Sequence, residues 1–275
     1  MSKKIVFFGN EKLATGIPEV EPVILRAVEA AGFEIEQVVT GPLKELKSHE
    51  SKLAVLAAYG KIIPQAILDQ FPLGIINVHP SLLPVYRGPT PIEQAILDGS
   101  AQTGVSIMRL SAKMDEGPLY KQKLVNLTVG ESKAELATQL QKLGSDLIVE
   151  VLPGIAKGTL KPHQQPHPDR ATYSHILTKL DGAVDWNLPA ERIEREIRAY
   201  MGWPGSRTEI GKKEVTILEA KIVDATGVPG EVINLKKQLV ICCGDKALEI
   251  LRLKPAGKKE MTGQAFMAGY KHLVS

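Results

Sequence analysis

Cysteine is scarce in this chain: the only two, Cys242 and Cys243, are adjacent and offer neither a disulfide framework nor a metal-ligand set. Long apolar runs are missing too. None approaches the ~20 residues that a membrane helix needs, so no membrane partner is expected. The opening MSKKIVFFGN has a basic tip but only four apolar residues before Gly9, too short a core for a secretory leader. A soluble cytoplasmic protein is the expectation. Several catalytic signatures are also absent. After the first strand a dinucleotide site would read G-x-G-x-x-G, whereas this chain reads GNEKLATG. It has no P-loop and no H-E-x-x-H, and Ser81 follows a proline rather than sitting in a G-x-S-x-G elbow. Oxidoreductase, kinase, metalloprotease and α/β-hydrolase readings fall away. No internal repeat is visible.

The 275 residues suggest one or two domains, and 44% hydrophobic content is enough to build their cores. The net charge of +3 is unevenly spread. From Glu191 onward 15 Lys and Arg face 11 Asp and Glu, while the remainder is one charge to the acidic side. A basic C-terminal part on a near-neutral body suits either a polyanion or a solvated surface.

The first half alternates two periodicities. Lys4–Gly9 reads as a buried strand and Pro18–Ala31 as a helix, apolar at Val20, Val23, Ile24, Ala27, Val28 and Ala31 and stopped by Gly32. Strands are expected at 33–39, 53–58, 75–78 and 105–110, and helices at 43–51, 62–70, 91–97 and 132–152. Such alternation predicts an α/β fold, a mostly parallel sheet with helices on both faces. Ligands of such sheets sit beyond the carboxyl ends of the strands. Residues 160–172, LKPHQQPHPDRAT, are rich in proline and polar residues and read as a linker or surface strap. His163, His167 and His175 lie in or near it without a carboxylate or cysteine cluster, so solvent suits them better than a metal. A short helix is expected at 190–200. Brief alternating segments follow, divided by Gly, Pro and Asp, which predicts a small C-terminal β-barrel.

Two stretches could carry chemistry. In NVHPSLLPVYRGPTP, Asn77 to Pro91, alternation puts Asn77 and His79 on one side of a strand with Val78 opposed. Pro80 holds His79 extended, and Pro84 stiffens the chain again. A catalytic rim and an ordinary strand-to-loop exit both account for this pair. In TGVSIMRLSAKMDEGPLYKQ, Thr103 to Gln122, a strand exits into a loop presenting Asp115. That carboxylate could orient His79 or raise its proton affinity. Alternatively it is a turn aspartate, with Gly117 supplying the unusual dihedral.

Taken together, NVHPSLLP, YRG, TGVSIM and MDEG, in that order, resemble the 10-formyltetrahydrofolate-dependent formyltransferases, and AAYGKIIP at 57–64 is similar to their folate-side loop. TYSHILTKLDGAVDW, MGWPGSRT and LRLKPAGKKEMTGQAFMAG resemble the second domain of the tRNA-acting members. The resemblance implies a Rossmann-like catalytic domain at 1–160, a linker at 161–188 and a barrel-like, OB-like tRNA-binding domain at 189–275. It implies formyl transfer from 10-formyltetrahydrofolate to initiator methionyl-tRNA, in a monomer, without a metal. Asn77, His79 and Asp115 would be catalytic. Ser81, Leu82, Leu83, Pro84, Tyr59, Gly60, Lys61, Ile62, Ile63 and Leu110 would hold the folate, and Arg87 is a structural or substrate-facing cation of unassigned duty. One departure stands out. Where the tRNA-acting members carry a long basic segment after the second strand, VVTGP is followed here by only LKELKSHESK before the next strand. An amino-sugar nucleotide is the rival amine substrate. A non-catalytic tRNA-binding or folate-sensing protein is the rival from another class.

Overall fold

The structure is a computed structural model and describes residues 3–9, 23–235 and 238–270. Contacts divide it into two compact units. The first holds residues up to 95, 100–129 and 134–176; the second holds 96–99, 130–133 and the chain from 177 onward.

The first unit is built on a six-stranded sheet. Its strands are β1 (Lys4–Phe8), β2 (Glu34–Val39), β3 (Leu53–Leu56), β4 (Gly74–His79), β5 (Gln102–Arg109) and β6 (Leu119–Asn126), in the order β2-β1-β3-β4-β5-β6. The pairings β1–β2, β1–β3 and β3–β4 are parallel, whereas β4–β5 and β5–β6 are antiparallel. The inner parallel strands β1 and β3 are apolar on both faces, as a sheet covered twice requires. Ile5, Val6, Phe7 and Phe8 are all buried, each contributing about 1.5–3 kcal/mol.

Helices α1 (Val23–Ala30), α2 (Gln65–Leu68), α3 (Pro91–Leu97) and α4 (Lys133–Ala156) also lie in this part of the chain. A Cβ on Gly144 of α4 would meet Val78 of β4 at 2.6 Å, then Val105 of β5 and Ile24 of α1. The missing side chain is what lets α4 approach this face. On the opposite face Val6, Phe8, Ala54, Leu56 and Ile75 pack with Tyr59, Ile63 and Phe71, and with Leu43, Leu46, Ile67, Leu68 and Leu110.

Several elements differ from the sequence expectation. The helix expected over 43–51 is a single 3-10 turn, Leu43–Glu45. Side chains of β2 take the backbone groups beyond it. Gln37 accepts from the Lys47 N–H and donates to the Lys47 and Ser48 carbonyls, and Glu36 accepts from the backbone of Glu50 and Ser51 and from the Ser51 hydroxyl. Burial opposes ionisation of Glu36, but those donors and the Lys4 charge outweigh it and hold its carboxyl below the usual range. The helix expected over 62–70 is cut to α2 by Pro64, whose extended backbone (ψ 159°) caps it. The one expected to end at Leu152 runs through Pro153 to Ala156, because a proline this close to a helix end forfeits little of the hydrogen-bond ladder. β6 was not foreseen; it is an edge strand with lysines at 121 and 123, the kind of charge that guards an edge. The expected helix start at 18–22, including Val20, lies outside the described residues, as does most of GNEKLATG.

The second unit contains α5 (Ala190–Ala199), β7 (Ser206–Ile210), β8 (Lys213–Val223), β9 (Val232–Leu235), β10 (Gln238–Cys242), β11 (Ala247–Pro255), β12 (Met261–Thr262) and α6 (Gly263–Gly269). Its antiparallel sheet runs β7-β8-β11-β10-β9, with β12 beside β11, and curls into a half-barrel. Ala190, Ile193 and Ile197 of α5 and Phe266 and Met267 of α6 join Val215, Ile217, Leu239, Ile241, Leu248, Ile250 and Leu253 in one core. The Thr262 hydroxyl caps α6 by accepting from the Ala265 N–H at 3.2 Å. Among the described residues, no helix is long and apolar enough to cross a membrane.

Candidate active site

β4 places the central pair. Asn77 is held between Leu56 of β3 and Met108 of β5, and His79 lies opposite Ser106 of β5. Alternation continues the face of Ile75 through Asn77 to His79, which is the face carrying Tyr59, Ile63 and Leu110. Asn77 is only 7% exposed, and its carboxamide has no protein hydrogen-bond partner among the described residues. A buried amide normally finds one.

His79 is 4% exposed, and its Nε2 lies 3.0 Å from the Tyr86 carbonyl oxygen. A carbonyl only accepts, so Nε2 carries the hydrogen and Nδ1 presents its lone pair. The Tyr86 peptide is itself fixed, its N–H donating to the Thr172 hydroxyl at 2.8 Å. Asp115 Oδ2 stands 3.8 Å from His79 Nδ1, beyond hydrogen-bond reach. The orienting group for the imidazole is thus the Tyr86 carbonyl, not the Asp115 carboxylate expected for that role.

Asp115 arrives by an indirect route. Because β5 is antiparallel to β4, its exit begins beside Ile75, to whose carbonyl the Leu110 N–H donates at 2.8 Å. The loop must return toward His79. Asp115 itself adopts the left-handed conformation (φ 50°), and its Oδ2 accepts from the Gly88 N–H at 2.7 Å. Gly117 serves another purpose than the dihedral expected of it: a Cβ there would sit 1.8 Å from the Arg109 carbonyl oxygen. Gly117→Ala should therefore cost about 1–3 kcal/mol of stability by overpacking. Chemical denaturation checks this, and an unshifted midpoint would contradict it.

Ser81, Leu82, Leu83 and Pro84 form the turn behind the pair. Ser81 is fully buried, its hydroxyl donating to the Val85 carbonyl at 2.6 Å. Ser106 Oγ donates to the Ser81 carbonyl (2.6 Å) and accepts from the Leu83 N–H (3.1 Å) and from Gln122 Nε2 (2.8 Å). Leu83 packs with Met108, Leu119 and Leu110. Leu110 thereby joins this wall to the Tyr59–Ile63 loop. In that loop the Tyr59 hydroxyl donates to the Gly41 carbonyl at 2.8 Å, Gly60 has φ 67°, Lys61 is exposed and Ile62 is 76% exposed. Leu82 lies under the turn, where a Cβ on Gly104 would meet its side chain at 2.6 Å.

Arg87, without a duty in the sequence, is a buried bracket. Its Nη2 donates to Gln165 Oε1 at 2.7 Å and its Nη1 to the Tyr173 hydroxyl at 2.9 Å, while Glu116 lies 3.5 Å away. Residues 161–176 lie along the first unit: His163 exchanges two backbone hydrogen bonds with Leu119, and Thr172 and Ser174 pair with Pro84 and Arg87. Ser106, Gln122, Tyr86 and Gln165 were not singled out from the sequence. The available signal was polar residues, Ser106 above all, inside otherwise apolar stretches. His163, His167 and His175 form no metal cluster; among the described residues no group of three His, Cys, Asp or Glu could hold a metal ion.

An amide without a partner among the described residues and an oriented imidazole, with a carboxylate near the carboxyl end of an α/β sheet, equip a site for transfer of a carbonyl group to an amine. The chain belongs to the formyl transferase family: residues 18–152 match the formyl transferase domain and residues 176–271 the formyl transferase C-terminal domain. It is similar in sequence to a methionyl-tRNA formyltransferase of Chloroflexus aurantiacus, 42% identical over 82% of this chain and 74% of that protein. In fold it is similar to HypX from Aquifex aeolicus, solved in complex with tetrahydrofolic acid, with a TM-score of 0.73 at 18% identity. That match covers 96% of this chain but 46% of HypX, so the chain spans about half of that neighbour's length. The methionyl-tRNA formyltransferase of Clostridium thermocellum matches with a TM-score of 0.58 at 16% identity, over 80% of this chain and 92% of the other.

Proposed function

We propose that this protein transfers the formyl group of 10-formyltetrahydrofolate to the amino group of initiator methionyl-tRNA, in the cytoplasm, as a monomer serving translation initiation. The Asn77 carboxamide carries the reading, since an amide donor for which no described residue is an acceptor suits an oxygen that gains charge only during reaction. The rest of the site fits a folate. Ile62 is exposed beside Gly60, and the apolar wall from Tyr59 and Ile63 through Leu110 to Leu83 can line a flat ring. Ser81–Pro84 and Lys61 complete that lining. When bound, the folate supplies the formyl carbon.

The chain's own residues do the remainder. A peptide-like α-amino group has a pKa of roughly 7.7–8.0, so a sizeable fraction is already neutral near pH 7. Strong base catalysis is unnecessary. Asn77 donates to the formyl oxygen as negative charge builds there. His79 takes the amine proton on Nδ1 and releases it to the departing nitrogen, while Nε2–H stays on the Tyr86 carbonyl. Asp115 stabilises the imidazolium formed in between. No metal is needed for these steps.

Residues 1–160 would carry the transfer and 189–275 the tRNA, with 161–188 joining them. Lys212 and Lys213, at the β7–β8 turn, and Lys258 and Lys259, after β11, are exposed. They share one end of the half-barrel, because Pro255 pairs with Val215 and the Ala256 N–H donates to the Glu214 carbonyl. Lys236 and Lys237, also candidates, lie outside the described residues. If these lysines track phosphates, log affinity for tRNA falls with log salt by about 0.7–0.9 per phosphate neutralised. A flat salt response would remove tRNA from the account.

The short segment after Pro42 favours the amino-sugar rival, which the same assay addresses. Incubation with 10-formyltetrahydrofolate and either initiator methionyl-tRNA or amino-sugar nucleotides should give formyl-methionyl-tRNA alone. Formylated sugar with unchanged tRNA would replace the proposal by its rival, and no product with either would leave a binding protein.

A further inference from the structure

We infer that Gln165, acting with Arg87, is a positioning residue that holds the Asp115 loop in its reactive shape; this rests on the functional reading above. Gln165 comes from the strap, not the sheet, yet it is only 8% exposed. Its Nε2 donates to the Asp115 carbonyl at 2.6 Å and to the Gly117 carbonyl at 2.9 Å. Its Oε1 accepts from Arg87 Nη2 at 2.7 Å. Those partners fix the amide's orientation, because two are pure acceptors and the third is a pure donor.

The consequence for Asp115 is direct. A non-glycine residue at φ 50° is a conformation the surroundings must enforce. Three ties enforce it: Gln165 on the loop's carbonyls, Arg87 beside Glu116 at 3.5 Å, and the Gly88 N–H on the carboxylate. Arg87 is only 6% exposed. Its backbone belongs to the same clasp, its N–H donating to the Thr172 carbonyl at 2.9 Å and its carbonyl accepting from the Ser174 N–H at 2.7 Å. Gln165 makes no hydrogen bond to Asn77 or His79, so it acts through the loop. Removing its donor orphans two loop carbonyls and frees Asp115 to leave the left-handed conformation. His79 then faces no carboxylate.

Gln165→Glu is the discriminating variant. It keeps an acceptor for Arg87 but cannot donate to the two carbonyls. Formylation kcat should fall by about 10²-fold, the scale of a small misplacement near the chemistry, with KM for both substrates unchanged. In an Asp115→Asn background the same change should cost less than about 3-fold, since residues acting as a unit are not additive. Equal losses in both backgrounds, or no loss in the otherwise unaltered protein, would overturn the inference. Amide hydrogen exchange gives a readout independent of the substrate. The Gly88 amide should exchange about 10-fold faster or more in Gln165→Glu and in the shorter Gln165→Asn, while amides of β4 keep their protection. Unchanged exchange at Gly88 would refute the clasp. If the unaltered protein formylates nothing while Gly88 loses protection in both variants, the functional reading falls and the clasp stands.

Discussion

Asn77→Ala lowers kcat for formyl transfer by about 10²–10³-fold, the usual cost of deleting one oxyanion donor. Its side chain is nearly buried, yet no protein group among the described residues accepts from it, so its loss breaks no hydrogen bond among them. Backbone pairing with Leu56 and Met108 persists in the variant. Thermal unfolding should therefore change little while turnover collapses. Asn77→Asp sharpens the test, because a carboxylate of the same shape only accepts and would repel the charge that the amide stabilises. Single-turnover rates measured with unfolding curves separate the two effects. Near-normal turnover in the alanine variant would refute the assignment.

His79→Gln is expected to lose about 10²–10⁴-fold in turnover, the range for removing a general acid–base group. Glutamine has an amide that can still donate to the Tyr86 carbonyl, so the loop from Ser81 to Arg87 keeps its inner anchor. It has no basic nitrogen to take the place of Nδ1. The loss should fall on kcat, with KM for the folate little changed. A variant that turned over normally would show that the amine sheds its proton to solvent and that the imidazole only fills space. A loss confined to KM would make His79 a binding residue.

Much of this site was legible because a strand's alternation is rigid. Asn77 and His79 had to share a face, and the apolar run before them had to be a buried strand. The other half of the site comes from places where local pattern is weak. β5 and β6 turn back against the parallel strands, and nothing in their alternation announces the reversal. Tyr86 contributes a carbonyl, which every residue possesses, so no side chain advertises it. Gln165 sits in a stretch whose composition reads as a linker, and only tertiary contact turns it into a clasp. Leu43–Ser51 shows the opposite failure. Its spacing suits a helix, but Glu36 and Gln37 of β2 claim the backbone groups that a helix would need. Gly117 was legible as a special glycine, though its cause is close approach to Arg109 and not its own dihedral.

The most direct test is a crystal structure of the protein with a non-transferable analogue of 10-formyltetrahydrofolate. The account predicts the formyl oxygen about 2.7–3.1 Å from the Asn77 amide nitrogen, and the formyl carbon on the side to which His79 Nδ1 opens. A formyl group bound elsewhere, with Asn77 donating to some other acceptor, would contradict it.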